Sequence, residues 1–341
     1  MRECIEFETY IPGRSIDEVK ELYGLEKVVK LASNENPYGA SPRAIEELRK
    51  FTDLHRYPNP EYRELRERLE EYTGWEAGRI VIGAGIDGIL ETLFTMLIEK
   101  GDEVVIPVPT FQYYSILARL HCAKEIIVQR GKDFRITEQI IDLLSEKTKL
   151  VIIPFPNNPT GNIEDPGLVK EIAESTKAIV FLDEAYIEFA DMNLDLDLEN
   201  VVIARTMSKA FGLANLRIGY ARLPEWLVKY YRSASTPFPV STLAERVAIA
   251  SLEDIDWMKN CVAKIKSERS RLFGELEKLV EVYPSQANFI FFRSKDGLAE
   301  ELLRKGVIIR DCRSFGVSGY RVTVGKPDEN DFFLQKLKEL L

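Results

Sequence analysis

The sequence predicts an α/β protein with a large domain, built on a mostly parallel sheet flanked by helices, and a small α+β domain. The first observation is that short β-branched runs alternate with helical stretches through residues 80–204. Such alternation is typical of crossover connections, which make neighbouring strands parallel. The second is a shift in composition beyond Tyr220, where a long helical stretch precedes several short strands. We expect the large domain at residues 30–235 and the small domain at residues 1–29 and 236–341.

Composition limits the class of protein. The chain has 341 residues, 45% of them hydrophobic, which is enough for a sizeable core. No apolar run approaches the ~18 residues of a membrane span and the N-terminus lacks a signal-peptide core, so we expect a cytoplasmic protein without a membrane partner. The net charge of −9 disfavours nucleic acid as a partner. Two histidines and four scattered cysteines predict no metal site, which makes a lysine the better candidate for a general base.

Helical patterns near the N-terminus cover residues 15–23, 42–50 and 61–73. Ser15 has the residue type and position of an N-cap. The helices are separated by a loop rich in Asn, Pro and Gly over residues 34–39 and by an extended connection with two prolines over residues 55–60. Taken alone, both segments are ordinary linkers.

A predicted strand over residues 80–83 leads into a glycine-rich turn and then into a helix over residues 89–98. Glycines let the backbone approach an anion, and the first amides of a helix are free to bind one. The glycines lack the spacing of a dinucleotide-binding fingerprint, which disfavours a Rossmann dehydrogenase. This turn is therefore a candidate site for phosphate, bound mostly through the backbone.

Chemically unusual residues follow the strands of the predicted parallel sheet, where ligands of such sheets bind. Asp183 is the most informative, because it ends the apolar strand 178–182 and a carboxylate is costly to bury without a cation. Phe111 and the turn 157–161 also follow strands. For these two, a core aromatic residue and a plain turn are the simpler alternatives.

The stretch 201–220 carries the strongest sign of a cofactor. An apolar strand breaks into Thr206, Ser208 and Lys209, and Arg217 follows eight positions after the lysine. A lysine amine can hold a phosphorylated aldehyde as a Schiff base, while hydroxyl groups and a guanidinium supply donors for its phosphate. For a lysine considered alone, a solvated position on a loop is the alternative.

The C-terminal third predicts a long helix and a small sheet. A helical pattern over residues 243–279 is interrupted near Asp254, and the short strand-like runs end in a helix from Pro327. Arg310 and Arg321 lie in two of these runs. An arginine fork is suited to clamp a carboxylate or a phosphate, although an arbitrary arginine on a strand is usually solvated.

These motifs, from Tyr10 to Gly325, resemble in order those of the fold-type I pyridoxal-phosphate enzymes and, among them, of the histidinol-phosphate aminotransferase family. The resemblance implies pyridoxal 5'-phosphate as cofactor, a homodimer, and Lys209 as the catalytic residue. The cofactor-binding residues that it implies are Ile86, Asp87, Phe111, Asn158, Asp183, Tyr186, Thr206, Ser208, Arg217 and, from the neighbouring subunit, Tyr57. The substrate-binding residues that it implies are Tyr10, Asn36, Arg310 and Arg321. Ile86 and Gly88 differ from the residue types that are usual at these two positions in the family.

The same resemblance implies transamination between L-histidinol phosphate and 2-oxoglutarate in histidine biosynthesis. The partners would then be small molecules, a phosphorylated amino alcohol and a dicarboxylate. Two alternatives stay open, a threonine-phosphate decarboxylase with the same fold and lysine, and a broader aromatic amino acid aminotransferase. An effector-binding module without catalysis would be expected to lose the lysine or to add a DNA-binding segment, and neither is seen.

Overall fold

The computed structural model describes residues 13–341, so the predicted role of Tyr10 lies outside the described residues. The helices are α1 (Ile16–Tyr23), α2 (Pro42–Lys50), α3 (Arg63–Thr73), α4 (Gly85–Leu97), α5 (Tyr113–Leu120), α6 (Gln139–Asp142), α7 (Pro166–Glu174), α8 (Glu225–Ala234), α9 (Thr242–Leu252), α10 (Ile255–Leu276), α11 (Leu298–Arg304) and α12 (Pro327–Lys338). The strands are β1 (Val29–Lys30), β2 (Ile80–Ala84), β3 (Glu103–Val108), β4 (Lys124–Gln129), β5 (Thr148–Pro154), β6 (Ile179–Asp183), β7 (Val201–Thr206), β8 (Ile218–Arg222), β9 (Glu281–Tyr283), β10 (Phe289–Arg293), β11 (Val307–Ile308), β12 (Arg310–Asp311) and β13 (Tyr320–Thr323). Within this range, no helix has both the length and the apolar content to cross a lipid bilayer.

The largest sheet has seven strands in the order β2-β8-β7-β6-β5-β3-β4. β8 is antiparallel to both of its neighbours, and the remaining neighbours pair in parallel. Side chains of α4, α5 and α8 pack in one apolar cluster with this sheet, and those of α3, α7 and α9 in another. The central strands are therefore buried on both faces, and the predicted α/β architecture is confirmed.

Local sequence explains where several helices begin. The side chain of Ser15 accepts a hydrogen bond from the Glu18 amide at 3.1 Å, and that of Ser41 accepts one from the Ala44 amide at 3.1 Å. Asp165 caps α7 in the same way. Each side chain satisfies an amide that has no partner within its own helix.

The region around Gly85 differs from the prediction. α4 begins at Gly85, four residues before the expected start at residue 89, so the expected glycine-rich turn is the first turn of the helix. The sequence analysis does not predict β8. A Cβ on Gly219 of β8 would lie 2.3 Å from the carbonyl carbon of Gly85. The absence of a side chain there lets α4 begin directly against β8.

The C-terminal part forms a four-stranded antiparallel sheet in the order β12-β13-β10-β9. β1 adds an N-terminal segment by pairing in parallel with β11, so that Val29 lies opposite Val307. α9 and α10 are interrupted at Asp254, and α12 begins at Pro327, as the pattern predicts.

Candidate active site

A cavity of about 180 Å³ lies at the carboxyl ends of β5, β6 and β7, beside the first turn of α4. Its lining includes eleven predicted site residues: Ile86, Asp87, Phe111, Asn158, Asp183, Tyr186, Thr206, Ser208, Lys209, Arg217 and Arg321. They come from six separate segments of the chain. Their convergence therefore depends on the fold, and it gives the cavity an amine, two carboxylates and several guanidinium and hydroxyl donors.

Lys209 enters the cavity from the segment that follows β7. Its Nζ donates a hydrogen bond to the carbonyl oxygen of Ser33 at 3.0 Å and lies 5.9 Å from the centroid of the Tyr186 ring. Burial, and then the nearby Arg321 guanidinium, lower the pKa of the amine to about 8. A far larger fraction of this amine than of an ordinary lysine is therefore neutral near physiological pH, and the neutral form is the one that acts as a nucleophile or base.

Asp183 ends β6, and its carboxylate is buried. The Tyr114 hydroxyl donates to Oδ2 at 2.7 Å, and the Ala185 amide donates to Oδ1 at 3.0 Å. Burial raises the pKa of Asp183 to about 6, against the opposing effect of these two hydrogen bonds. A carboxylate held in this way is stabilised by a cation in the cavity, such as a protonated ring nitrogen.

The part of the cavity beside α4 is rich in hydrogen-bond donors. Thr206 Oγ1 lies 2.9 Å from Ser208 Oγ, to which Arg217 Nη1 also donates at 3.3 Å. The first turn of α4 adds backbone amides. A Cβ on Gly85 would lie 2.7 Å from Arg217 Nη2, so glycine lets the guanidinium approach the helix. We call this group of donors the phosphate cup, because hydroxyl groups, an arginine and a helix N-terminus are what a phosphate requires.

Polar groups also face the middle of the cavity. Asn34 Nδ2 donates to the Tyr186 hydroxyl oxygen at 3.0 Å, and this hydroxyl can donate its own hydrogen to a ligand oxygen. Arg321 Nη1 donates to Asn158 Oδ1 at 2.5 Å, so the amide Nδ2 is the donor of the Asn158 side chain. Asn158 and Tyr186 can therefore both bind an anionic ring oxygen.

Arg310 and Arg321 lie directly opposite each other on β12 and β13. Both are buried, and their guanidinium carbons lie 5.1 and 5.7 Å from the centroid of the Phe315 ring. Like charges opposite each other destabilise a strand pair, and a bound anion would offset their repulsion. Arg321 lines the main cavity, while Arg310 lines a second cavity together with Arg14 and Arg313.

The family model for aminotransferase class I and II matches residues 26–337. The chain belongs to this aminotransferase family. A histidinol-phosphate aminotransferase from Archaeoglobus fulgidus is 64% identical over 317 residues, which cover 92% of this chain and 99% of that one. One from Methanosarcina mazei is 43% identical over 346 residues, covering 97% and 93%. A crystal structure of histidinol-phosphate aminotransferase from Sinorhizobium meliloti in complex with pyridoxal-5'-phosphate matches with a TM-score of 0.87 at 25% identity, covering 97% of this chain and 96% of that one.

The polar groups that line the cavity of this chain match the polar groups of pyridoxal phosphate. The phosphate cup suits the phosphate group, and the Asp183 carboxylate suits a protonated ring nitrogen. Asn158 and Tyr186 suit the ring oxygen, and the Lys209 amine suits the aldehyde. Each polar group of the cofactor thus has a counterpart among the residues present.

Among the described residues of this chain, three predicted site residues lie outside the main cavity. Tyr57 is 82% exposed. Asn36 is buried, but its Nδ2 donates to the Ala210 carbonyl oxygen at 2.8 Å and its Oδ1 accepts from the Tyr38 amide at 2.9 Å. It therefore fixes the loop instead of lining the cavity. The third is Arg310, which lines the second cavity.

The sequence prediction misses three polar residues that line the cavity: Ser33, Asn34 and Tyr114. Asn34 belongs to the predicted asparagine-rich loop, and its amide donates to Thr323 Oγ1 at 2.9 Å. Only the direction of the side chains distinguishes it from Asn36, and the sequence does not give that direction. Tyr114 lies on the buried face of α5, where a tyrosine indicates only core packing.

Proposed function

We propose that this aminotransferase transfers an amino group between L-histidinol phosphate and 2-oxoglutarate in histidine biosynthesis, with pyridoxal phosphate as cofactor. The observation that carries the proposal is the convergence of Lys209, Asp183, Arg321 and the phosphate cup in one cavity. The two relatives at 64% and 43% identity are named histidinol-phosphate aminotransferases, which supports this choice of substrate. The decarboxylase and the aromatic aminotransferase have no counterpart among them.

Lys209 moves the proton. When bound, pyridoxal phosphate supplies an electron sink that makes the Cα proton of an amino substrate acidic. With a pKa of about 8, the Lys209 amine can take up this proton and release it again near neutral pH. The Ser33 carbonyl oxygen, 3.0 Å from Nζ, orients the amine.

Asp183 and its neighbours keep the cavity suited to that reaction. The carboxylate favours the protonated form of a ring nitrogen, and the Tyr114 hydroxyl orients the carboxylate. Asn158 and Tyr186 would donate to the ring oxygen. Phe111 would cover a face of the ring, and its own plane is fixed by an edge-to-face contact with Tyr114, with centroids 5.7 Å apart.

The phosphate cup would hold the phosphate group of the cofactor. Thr206, Ser208 and Arg217 would supply side-chain donors, and Ile86 and Asp87 would supply backbone amides at the start of α4. Because these groups take no part in proton transfer, they would hold the phosphate in the same way in both half-reactions.

Arg310 and Arg321 bind the anionic groups of the substrates. Histidinol phosphate carries a phosphate and 2-oxoglutarate carries two carboxylates, so one pair of arginines can receive each in turn. Removing either charge should cost about 2–5 kcal/mol of transition-state stabilisation, which is the range for a buried charge partner.

The proposal includes a cytoplasmic homodimer in which Tyr57 binds the cofactor phosphate of the neighbouring subunit. Leu54, Tyr57 and Phe238 are 81%, 82% and 39% exposed, and the first two are the most exposed large hydrophobic side chains among the described residues. Tyr57 stacks on Phe238 with ring centroids 4.8 Å apart. The ion pair of Arg217 and Asp87, beside the phosphate cup, has side chains 50% and 46% exposed, which leaves that side of the cup open to a partner.

The experiment that tests the proposed substrates is a steady-state assay of glutamate formation from histidinol phosphate and 2-oxoglutarate. We expect Arg310→Met and Arg321→Met each to lower kcat/KM by the equivalent of about 2–5 kcal/mol. The control is Arg293→Met, which removes an exposed arginine paired with Glu281 on the same four-stranded sheet. Equal activity in all three variants, or no glutamate from the unchanged enzyme, would contradict the proposal.

A further inference from the structure

A polar network lies behind the cavity, at the loops that follow β3 and β5. The Asn157 side chain is fully buried at its centre. Its Oδ1 accepts from Thr110 Oγ1 at 3.0 Å and from Arg130 Nη2 at 3.3 Å. Its Nδ2 donates to the Pro109 carbonyl oxygen at 3.1 Å and lies 2.6 Å from Thr160 Oγ1. These four contacts use the whole hydrogen-bonding capacity of the amide, so a single side chain ties the two loops together.

A buried ion pair holds this amide from behind. The side chains of Arg130 and Glu164 are both 0% exposed, and Arg130 Nη1 donates to Glu164 Oε1. Glu164 Oε2 accepts from the Ile136 amide at 2.8 Å, and Arg130 Nη1 donates to the Phe134 carbonyl oxygen at 3.0 Å. A buried ion pair contributes little net stability compared with apolar residues of similar size. The pair therefore matters less for stability than for the fixed position that it gives to the Asn157 side chain.

The residues tied by Asn157 are chain neighbours of two groups that line the cavity. Thr110 precedes Phe111, and Asn157 itself precedes Asn158. We propose that Asn157, held by the Arg130–Glu164 pair, is a positioning residue. It fixes Phe111, which covers the ring, relative to Asn158, which donates to the ring oxygen. This inference rests on the proposed binding of pyridoxal phosphate and assigns a role to three residues outside the cavity lining.

The test compares holoenzyme variants with a matched control. Asn157→Ala removes all four contacts, and Thr110→Val removes one of them. The control is Asn200→Ala, at the amino end of β7, where Asn200 Nδ2 donates to the carbonyl oxygens of Ala173, Thr176 and Ala178 at 2.8–3.1 Å. For each variant we would measure kcat, KM, urea stability and the pH midpoint of the visible absorbance of bound cofactor. That midpoint reports the hydrogen bond to the ring oxygen.

We expect Asn157→Ala to lower kcat roughly 10- to 100-fold, the range for slight misplacement of reacting groups, with a smaller change in KM. Its absorbance midpoint should move in the same direction as that of Asn158→Ala, and Thr110→Val should show a smaller shift of the same sign. Asn200→Ala should lose stability and keep the wild-type kcat and midpoint. Replacing both charges, as Arg130→Met with Glu164→Leu, should retain the fold and still shift the midpoint.

The inference is overturned if Asn157→Ala keeps the wild-type kcat and midpoint, or if Asn200→Ala alters both to the same extent. Should Asn157→Ala not fold, an unchanged midpoint in Thr110→Val and in the double variant has the same meaning. A wild-type protein that binds no pyridoxal phosphate defeats the proposed function instead, and that result is obtained before any variant is compared.

Discussion

Asp183 and Tyr114 allow a test at the scale of single residues. Burial raises the pKa of Asp183 to about 6, and the hydrogen bond from Tyr114 opposes this rise. The carboxylate must be ionised to bind a protonated ring, so cofactor affinity is lost as pH falls through the pKa of Asp183. Tyr114→Phe should move this loss to higher pH. Titration of the apoprotein with pyridoxal phosphate between pH 5 and 8 measures it, with Tyr113→Phe, outside the cavity lining, as control. An unmoved profile in Tyr114→Phe would count against the assignment.

The lowered pKa of Lys209 predicts how the stability of the apoprotein depends on pH. Its pKa of about 8 in the folded apoprotein lies below the ordinary value of 10.5, so the unfolded chain binds more protons between these pH values. The apoprotein is therefore destabilised by up to about 3 kcal/mol below pH 8, and this penalty disappears as pH rises to 10.5. Lys209→Met should raise the free energy of unfolding at pH 7 and have little effect near pH 10.5. Urea unfolding of both apoproteins at several pH values measures the difference, and a variant less stable than wild type at pH 7 would refute it.

The chemistry of single residues is where sequence reasoning reaches furthest. Asp183 could be predicted because a carboxylate at the end of an apolar strand is unusual, and Lys209 because hydroxyl residues and an arginine accompany it. Tyr114 could not, since a tyrosine on a buried helix face has the same pattern whether or not its hydroxyl donates to a buried carboxylate such as that of Asp183. Asn34 and Asn36 differ only in which way each side chain points.

At the scale of elements, the start of α4 determines the phosphate cup. Gly85 has φ +75°, and a Cβ there would lie 2.7 Å from Arg217 Nη2. Gly85→Ala should weaken cofactor binding about tenfold or more, because the guanidinium must move as well as the backbone. Gly74→Ala is the matched control, since Gly74 has φ +74° with nothing within 4 Å of the added Cβ. Equilibrium binding of pyridoxal phosphate separates the two, and equal affinity in both variants would show that the contact with Arg217 is unimportant.

The elements themselves are largely predictable, and the exceptions have a physical reason. α2 has the predicted bounds, because a serine cap and an amphipathic pattern define them. The start of α4 is not predictable in the same way, since glycine is a poor helix former and its use here depends on β8 and Arg217 nearby. β8 is a short strand whose place in the sheet is set by its pairing with β2 and β7. β2 is distant from β8 in sequence, and β7 is separated from β8 by the segment that carries Lys209.

At the scale of the whole molecule, we propose that residues 30–235 form the large domain and residues 1–29 with 236–341 the small one. The seven-stranded sheet lies entirely within the first range, and the pairing of β1 with β11 supports an N-terminal contribution to the second. The two parts share an aromatic contact, because the Phe134 ring lies 5.0 Å from Tyr283 and 5.5 Å from Phe291. The two proposed domains therefore pack against each other at this contact.

The proposed dimer makes a prediction at this scale. The protein should sediment as a dimer at assay concentration, and Tyr57→Phe should weaken cofactor binding about tenfold while leaving the dimer intact, because one hydrogen bond to a charged phosphate is lost. Tyr230→Phe, another exposed tyrosine at 60%, should have no effect. Sedimentation and cofactor titration measure the two properties. An active monomer, or unchanged affinity in Tyr57→Phe, would remove the proposed role of Tyr57.

The measurement that tests the central claim most directly is a single half-reaction. Purified enzyme loaded with pyridoxal phosphate is mixed with L-histidinol phosphate alone, and its visible spectrum is followed. We expect conversion of the cofactor to its amino form without release of carbon dioxide, and recovery of the original spectrum on addition of 2-oxoglutarate. No response to histidinol phosphate, together with carbon dioxide release from threonine phosphate, would contradict the account and assign the protein to the decarboxylases.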